Sequence, residues 1–301
     1  MSEFVTLNGH RFFLRTWGDA KNPPLLLLHG FPEYSGAWGE VATRLSDRFY
    51  CIAPDQRGYG QSYSPTDVAA YRIEHLVSDL VALIDHIGGP IDVVGHDWGA
   101  AAAYALTMAR PDLPRKLVVM NGPHPVPFQR ALIEDADQIA ASQYILWLQR
   151  AGSEQVLAAD NFAKLREMFA GPMNMSWLDG ARLKDYLAAW RDTAGLQAMI
   201  NWYRATGLYV PKLGAKIDAP PPFDAGAMRI SVPHLLIWGT DDTALLPSSY
   251  AGMDALCDAF TLHKISGADH WLHHQKPDQV AALIRKFIKP KRNGFCARPA
   301  G

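Results

Sequence analysis

The sequence predicts an α/β fold: a mostly parallel central sheet with helices on both faces and an inserted helical cap. Three observations carry this. Short apolar runs with strand character alternate with helix-spaced runs between Phe4 and Met120. From about Pro123 to Gly226 the strand signal fades and helical spacing takes over. The βα rhythm then resumes at Val232 and continues to Ile288. A helical block that interrupts such a rhythm reads as a cap set into a core. The expected division is 1–122 and 227–289 for the core, 123–226 for the cap and 290–301 for a loose polar tail.

Each element follows from its residues. Phe4 to Leu7 and Arg11 to Trp17 read as two strands around an Asn8-Gly9 turn, a hairpin signal. Pro24 to His29 holds four consecutive leucines and reads as a buried central strand. Ala37 to Leu45 reads as a helix and Phe49 to Ala53 as a strand. Ile73 to Ile87 places Leu76, Leu80, Leu83, Ile84 and Ile87 at helical spacing and ends at Gly88-Gly89-Pro90. A strand over Ile91 to Gly95, a helix from Trp98 to about Arg110 and a strand over Lys116 to Met120 follow. The helical block leaves through Ala219-Pro220-Pro221-Pro222-Phe223, a linker signal. Val232 to Gly239 and Phe260 to Ile265 read as strands, with helices near Ser248 to Cys257 and over Pro277 to Ile288.

Composition narrows the class. Hydrophobic residues make up 49% of the 301 and charged residues 20%, so a sizeable core is expected and disorder is not. A formal net charge of −1 offers no field for nucleic acid or anionic membranes, and neither is expected as a partner. Cys51, Cys257 and Cys296 are odd in number, lack metal-ligand spacing and read as reduced thiols of a cytoplasmic protein. No signal-peptide pattern is visible at the N-terminus. No apolar run approaches the roughly 18 residues that span a bilayer.

The most informative residues are Gly95-His96-Asp97-Trp98-Gly99. They lie between an apolar strand and the small-residue stretch Ala100 to Ala103, with a glycine at each end of the turn. That is the strand–turn–helix context of a nucleophile elbow, G-x-S-x-G, with aspartate in place of serine. A carboxylate there attacks an electrophilic carbon and forms a covalent ester, chemistry that an ordinary serine esterase does not perform. As an alternative, Asp97 is simply the N-cap of the following helix.

Taken with four further motifs, this elbow makes the chain resemble the α/β-hydrolase fold family, and within it the epoxide hydrolase branch, from about Phe4 to Ile288. His29-Gly30-Phe31-Pro32-Glu33 resembles the family's oxyanion loop, and Asp55-Gln-Arg-Gly-Tyr-Gly-Gln-Ser62 its turn after the fourth strand. Trp238-Gly-Thr-Asp-Asp242 resembles the acid loop and Gly267-Ala-Asp-His270-Trp271 the histidine loop. The chain order Asp97, Asp242, His270 is that of an α/β-hydrolase triad. Asp241 competes with Asp242, and the family spacing from Gly239 selects Asp242. Some relatives carry the acid after the sixth strand, where this chain has Asn121, an amide that cannot take that part.

The resemblance implies roles. Asp97 opens the epoxide, and His270, oriented by Asp242, activates the water that hydrolyses the ester. The backbone N–H groups of Phe31 and Trp98 hold the oxyanion, with the Phe31–Pro32 peptide expected to be cis. Two cap tyrosines, Tyr203 and Tyr144, hold the epoxide oxygen, a task suited to a phenol that stays protonated at neutral pH. Trp38, Trp147 and Trp202 are candidate walls of the substrate pocket. The implied product is a vicinal diol, from a small-molecule epoxide and water. No metal or organic cofactor is needed, because side chains, backbone groups and water fill every role. His29 and His96 read as structural supports, His273 and His274 as surface residues or the start of the last helix, and Asp269 as a solvated neighbour.

Two alternatives stay open. A haloalkane or haloacetate dehalogenase uses the same kind of nucleophile, and Trp98 matches a halide-holding indole. Against it, Phe31 offers only its backbone N–H, and positions 98–103, Trp-Gly-Ala-Ala-Ala-Ala, lack the arginines that would hold a haloacetate. A non-catalytic small-molecule receptor on a hydrolase scaffold is the other, disfavoured by the intact Asp97, Asp242 and His270.

Overall fold

The computed structural model describes residues 1–170, 173–215, 224 and 226–288; the proline cluster after Asp218, the tail 290–301 and Cys296 lie outside them. Eight strands form one sheet: β1 (Ser2–Leu7), β2 (His10–Trp17), β3 (Pro24–Leu28), β4 (Tyr50–Pro54), β5 (Ile91–His96), β6 (Pro114–Met120), β7 (His234–Gly239) and β8 (Phe260–Ile265). Their order is β1-β2-β4-β3-β5-β6-β7-β8. The first two strands form the expected hairpin, with Asn8 and Gly9 at φ 52° and 78° in its turn. β2 also runs antiparallel to β4, and every later pairing is parallel.

The leucine run of β3 is explained by burial on two sides. Leu26 and Leu28 face one apolar layer and Leu25 and Leu27 the other, because successive strand side chains alternate. The first layer receives α2 (Ile73–Ile87) and α3 (Trp98–Ala109); the second receives α1 (Gly39–Leu45) and α11 (Pro277–Phe287). Between β6 and β7 lie α4 (Pro125–Glu134), α5 (Ala136–Ala141), α6 (Gln143–Leu148), α7 (Ser153–Ala170), α8 (Gly180–Trp190) and α9 (Thr193–Ala205). They form the cap, and it packs onto the first layer. Two cap indoles reach main-chain acceptors of the core: Trp190 Nε1 donates to the Pro32 carbonyl at 2.6 Å, and Trp202 Nε1 to the Arg57 carbonyl at 2.9 Å.

Two expectations need correction. The segment near Ser248 to Cys257 is not an α-helix but two 3-10 turns, Pro247–Tyr250 and Met253–Leu256. Gly252 at φ 79° breaks the run between them. A further short helix, α10 (Leu272–Gln275), precedes α11 and buries His273 and His274, so they are neither on the surface nor part of the last helix.

Candidate active site

Asp97 sits at the end of β5 with φ 51° and ψ −119°, a conformation rare for a residue with a side chain. The turn is held because its neighbours are glycines. A Cβ on Gly95 would lie 2.6 Å from the Gly99 carbonyl oxygen, and one on Gly99 would strike the Leu28 and His29 carbonyls. The Asp97 side chain makes no capping bond to α3, which disposes of the N-cap alternative. Instead the Phe31 N–H donates to Asp97 Oδ1 at 2.7 Å. The first N–H groups of α3 open beside the same carboxylate, where a helix N-terminus favours negative charge. The Phe31–Pro32 peptide is cis.

On the other side, His270 Nε2 lies 3.7 Å from Asp97 Oδ2, and His270 Nδ1 is bonded to Asp242 Oδ2 at 2.9 Å. Asp242 is buried and Asp241 exposed, so one of the adjacent pair turns inward. Asp242 Oδ1 accepts from the N–H groups of Ala244 and Leu245 at 2.8 and 3.0 Å. Asn121 Nδ2 donates to Asp242 Oδ2 at 2.6 Å. Asn121 is thus a support for the acid, a part the sequence reading did not give it. Burial would raise the Asp242 pKa, but the His270 charge and these donors outweigh it and hold the carboxyl below its ordinary value. Burial would lower His270, but the Asp242 charge and hydrogen bond, followed by the Asp97 charge, raise it to about 9.

Across from Asp97, Tyr144 on α6 and Tyr203 on α9 line a cavity of about 510 Å³ that also holds Asp97 and Trp98. The two rings meet edge-on with centroids 6.1 Å apart, and both feel the Asp97 charge. Burial raises both phenols far above their ordinary range, so both remain protonated donors. The remaining wall is largely apolar and includes Ala101, Ala105, Met108, Phe128 and Leu245. Trp202 lines the cavity as expected. Trp38 does not: it is fully buried in the second apolar layer with α1, on the opposite face of the sheet. Trp147 is also outside the cavity wall; it lies about 200° round α6 from the cavity-lining Ile145 and packs against the core elsewhere.

Other polar residues differ from expectation. Asp269 is buried, not solvated: it accepts from the N–H groups of Asn174 and Trp271 at 2.8 and 2.9 Å and ties the cap to the histidine loop. His29 is the expected support, bonded to the Gly30 carbonyl and the Gln56 N–H. His96 supports the site from behind, with one ring nitrogen on Glu33 and the other on the His270 carbonyl. Cys51 and Cys257 are free and buried. Among the described residues no helix is long and apolar enough to cross a membrane.

Comparison with known proteins identifies the family. Residues 23–277 match the family model described as the alpha/beta hydrolase fold. The chain is 32% identical over 290 residues to the AB hydrolase superfamily protein YfhM of Bacillus subtilis, covering 95% of this chain and 97% of that one. It is 30% identical to epoxide hydrolase 3 of Xenopus tropicalis, covering 94% and 76%. A solved structure of epoxide hydrolases from hot-environment metagenomes superposes with a TM-score of 0.86 at 32% identity, covering 95% and 98%. The Bacillus megaterium epoxide hydrolase in complex with an inhibitor gives a TM-score of 0.84 at 27% identity, covering 96% and 100%. With sheet order, elbow and family match in agreement, the chain belongs to the α/β-hydrolase fold family, in its epoxide hydrolase branch.

Proposed function

We propose that this protein hydrolyses an epoxide to a vicinal diol through a covalent ester on Asp97. The observation that carries the reading is one cavity in which a carboxylate faces two protonated phenols. The Phe31 N–H holds Asp97 Oδ1 and leaves Oδ2 free to attack a ring carbon. As the C–O bond breaks, Tyr203 or Tyr144 passes its proton to the alkoxide. Ester formation removes the Asp97 charge, one of the charges that keep His270 protonated, and the proton His270 releases returns the phenolate to phenol. Neutral His270 then takes a proton from water while the hydroxide adds to the ester carbonyl. The oxyanion on former Oδ1 meets the Phe31 and Trp98 N–H groups. Collapse expels the diol oxygen, which takes the proton from His270, and the last water proton passes from the Asp97 carboxyl to His270, so carboxylate, imidazolium and phenol are all restored.

Core segments 1–122 and 227–289 carry the nucleophile, acid and base in this reading, and cap segment 123–226 carries the two donors. The substrate is a small-molecule epoxide with an apolar substituent, in keeping with the cavity wall. Two buried free thiols support a cytoplasmic location. A parallel assay on aryl and alkyl epoxides, haloalkanes and haloacetates tests the function. Diol formation from epoxides is expected to dominate, and faster halide release would transfer the assignment to a dehalogenase.

A further inference from the structure

Behind His270 lies a buried polar cluster that the mechanism above does not use. Glu33, directly after the Phe31–Pro32 loop, is at its centre. Its Oε2 meets His96 Nδ1 at 3.1 Å, and its Oε1 meets His273 Nε2 at 3.0 Å, His274 Nε2 at 2.8 Å and the Tyr186 hydroxyl at 3.0 Å. Glu33, His96 and His273 are at most 1% exposed. A carboxylate with four donors around it is well matched as the anion. Burial would raise the Glu33 pKa, but the hydrogen bonds from His273, His274 and His96 outweigh it and hold the carboxyl well below the usual carboxylate range.

The second ring nitrogen of His96 faces an acceptor as well: Nε2 lies 2.9 Å from the His270 main-chain carbonyl. With a carboxylate on one side and a carbonyl on the other, both nitrogens donate only if the ring is an imidazolium. Burial lowers the pKa of His273 and of His274, which favours their neutral forms. The cluster therefore reads as one buried carboxylate, Glu33, ringed by His96, His273, His274 and Tyr186. Its carboxylate and facing ring nitrogens have metal-ligand chemistry and lie within 4.8 Å of one another, but they already satisfy each other.

We propose that Glu33 and His96 are positioning residues for the catalytic base: Glu33 orients the His96 ring, and His96 grips the His270 carbonyl so that the imidazole stays between Asp242 and Asp97. The chain of contacts runs from the oxyanion loop through the residue before the nucleophile to the base loop. Tyr186 extends it into the cap. Alkylation by a carboxylate needs no base, so the device serves the second half-reaction. The inference rests on His270 being the base of the proposed function.

Glu33→Gln keeps the shape and removes the charge. With a covalent intermediate, slowing only ester hydrolysis lowers kcat and KM together and leaves kcat/KM unchanged. The expected result is a fall of about tenfold in both, the scale of losing a charge-assisted hydrogen bond, with alkyl-enzyme accumulating. A fall in kcat/KM with KM unchanged would mean a general structural defect and would overturn the proposal. A substrate-free measurement keeps the two readings separate. ¹⁵N NMR of the wild-type histidines should find the His96 Nε2 proton held against the His270 carbonyl and slow to exchange with water, whether or not epoxides are turned over. A His96 Nε2 proton that is absent or exchanges freely overturns the grip. Should Glu33→Gln fail to fold, Tyr186→Phe removes one donor and should give the same joint fall in kcat and KM, smaller in size; a fall in kcat/KM alone would count against the proposal.

Discussion

His270 Nε2 stands 3.7 Å from Asp97 Oδ2, too far for a direct hydrogen bond and close enough for both to touch one water. In the proposed mechanism His270 thus acts on a water beside the Asp97 carboxyl group and does not activate Asp97 itself. That separation divides the reaction into two steps that respond to different substitutions.

Asp97→Ala is expected to lower turnover by about 10⁴-fold or more, since it removes the nucleophile of a unit that acts as a whole. One turnover of wild type in ¹⁸O-water should put label into the Asp97 carboxylate, detectable by peptide mass spectrometry. Label confined to the diol would exclude the ester.

His270→Gln is expected to alkylate at close to the wild-type rate and then stall. Intact-protein mass spectrometry should show an adduct of one substrate mass. Sustained multiple turnover by this variant would remove His270 from the mechanism.

Tyr203→Phe deletes a hydroxyl that lies in the Asp97 cavity and changes little else. Alkylation measured under single turnover should slow by about 10²-fold, the usual scale for one transition-state donor. The double variant with Tyr144→Phe should be close to inactive on epoxides, with an unchanged circular dichroism spectrum. Full epoxide activity in the double variant would end the epoxide assignment.

The raised His270 pKa makes a stability prediction with a definite sign. The folded protein binds the proton up to about 9, against 6.5 for a free imidazole. The resulting stabilisation is fully present below pH 6.5 and is lost as pH rises through 9, because the native state then binds more protons than the unfolded one. Urea unfolding should therefore show wild type losing more stability than His270→Gln between those pH values. Parallel curves for the two proteins would contradict the charge assignment.

Two glycine substitutions should separate fold from chemistry. A Cβ on Gly99 meets the rigid Leu28 and His29 carbonyls, so Gly99→Ala should cost roughly 2–4 kcal/mol in chemical denaturation. On Gly30 the nearest group is the Asp97 side chain, so Gly30→Ala should displace the nucleophile and lower kcat by at least about tenfold. Equal activity of Gly30→Ala and wild type would show that the nucleophile tolerates the shift.

Much of this was readable in the sequence because it depends on local pattern. Asn8-Gly9, the leucines of β3, and Gly95 and Gly99 around Asp97 each state their conformation within a few residues. The triad could be ordered along the chain because each member follows a recognisable apolar strand. The Glu33 cluster could not be read that way, since it joins positions 63 and 241 residues apart. Asn121 was set aside as unable to be the acid, yet it serves the acid, and only its distance to Asp242 shows this. Asp269 read as a neighbour of a histidine until Asn174 of the cap was brought to it. Trp38 and Trp147 were assigned by residue type alone, and type does not say which face of a sheet or helix a ring occupies.

The two indoles that dock the cap, Trp190 and Trp202, take hold of main-chain oxygens, those of Pro32 and Arg57. A main-chain oxygen is present whatever side chain its residue carries. A cap transplanted from another member would thus need its own indoles in register and would ask nothing of the recipient's side chains at those two points. Because Tyr144 and Tyr203 travel with the cap, such a graft would exchange the pair proposed to hold the oxygen and much of the cavity wall in one move, while Asp97, Asp242 and His270 stay behind. In the proposed mechanism the fold thereby separates the part that decides which molecule is accepted from the part that performs the hydrolysis.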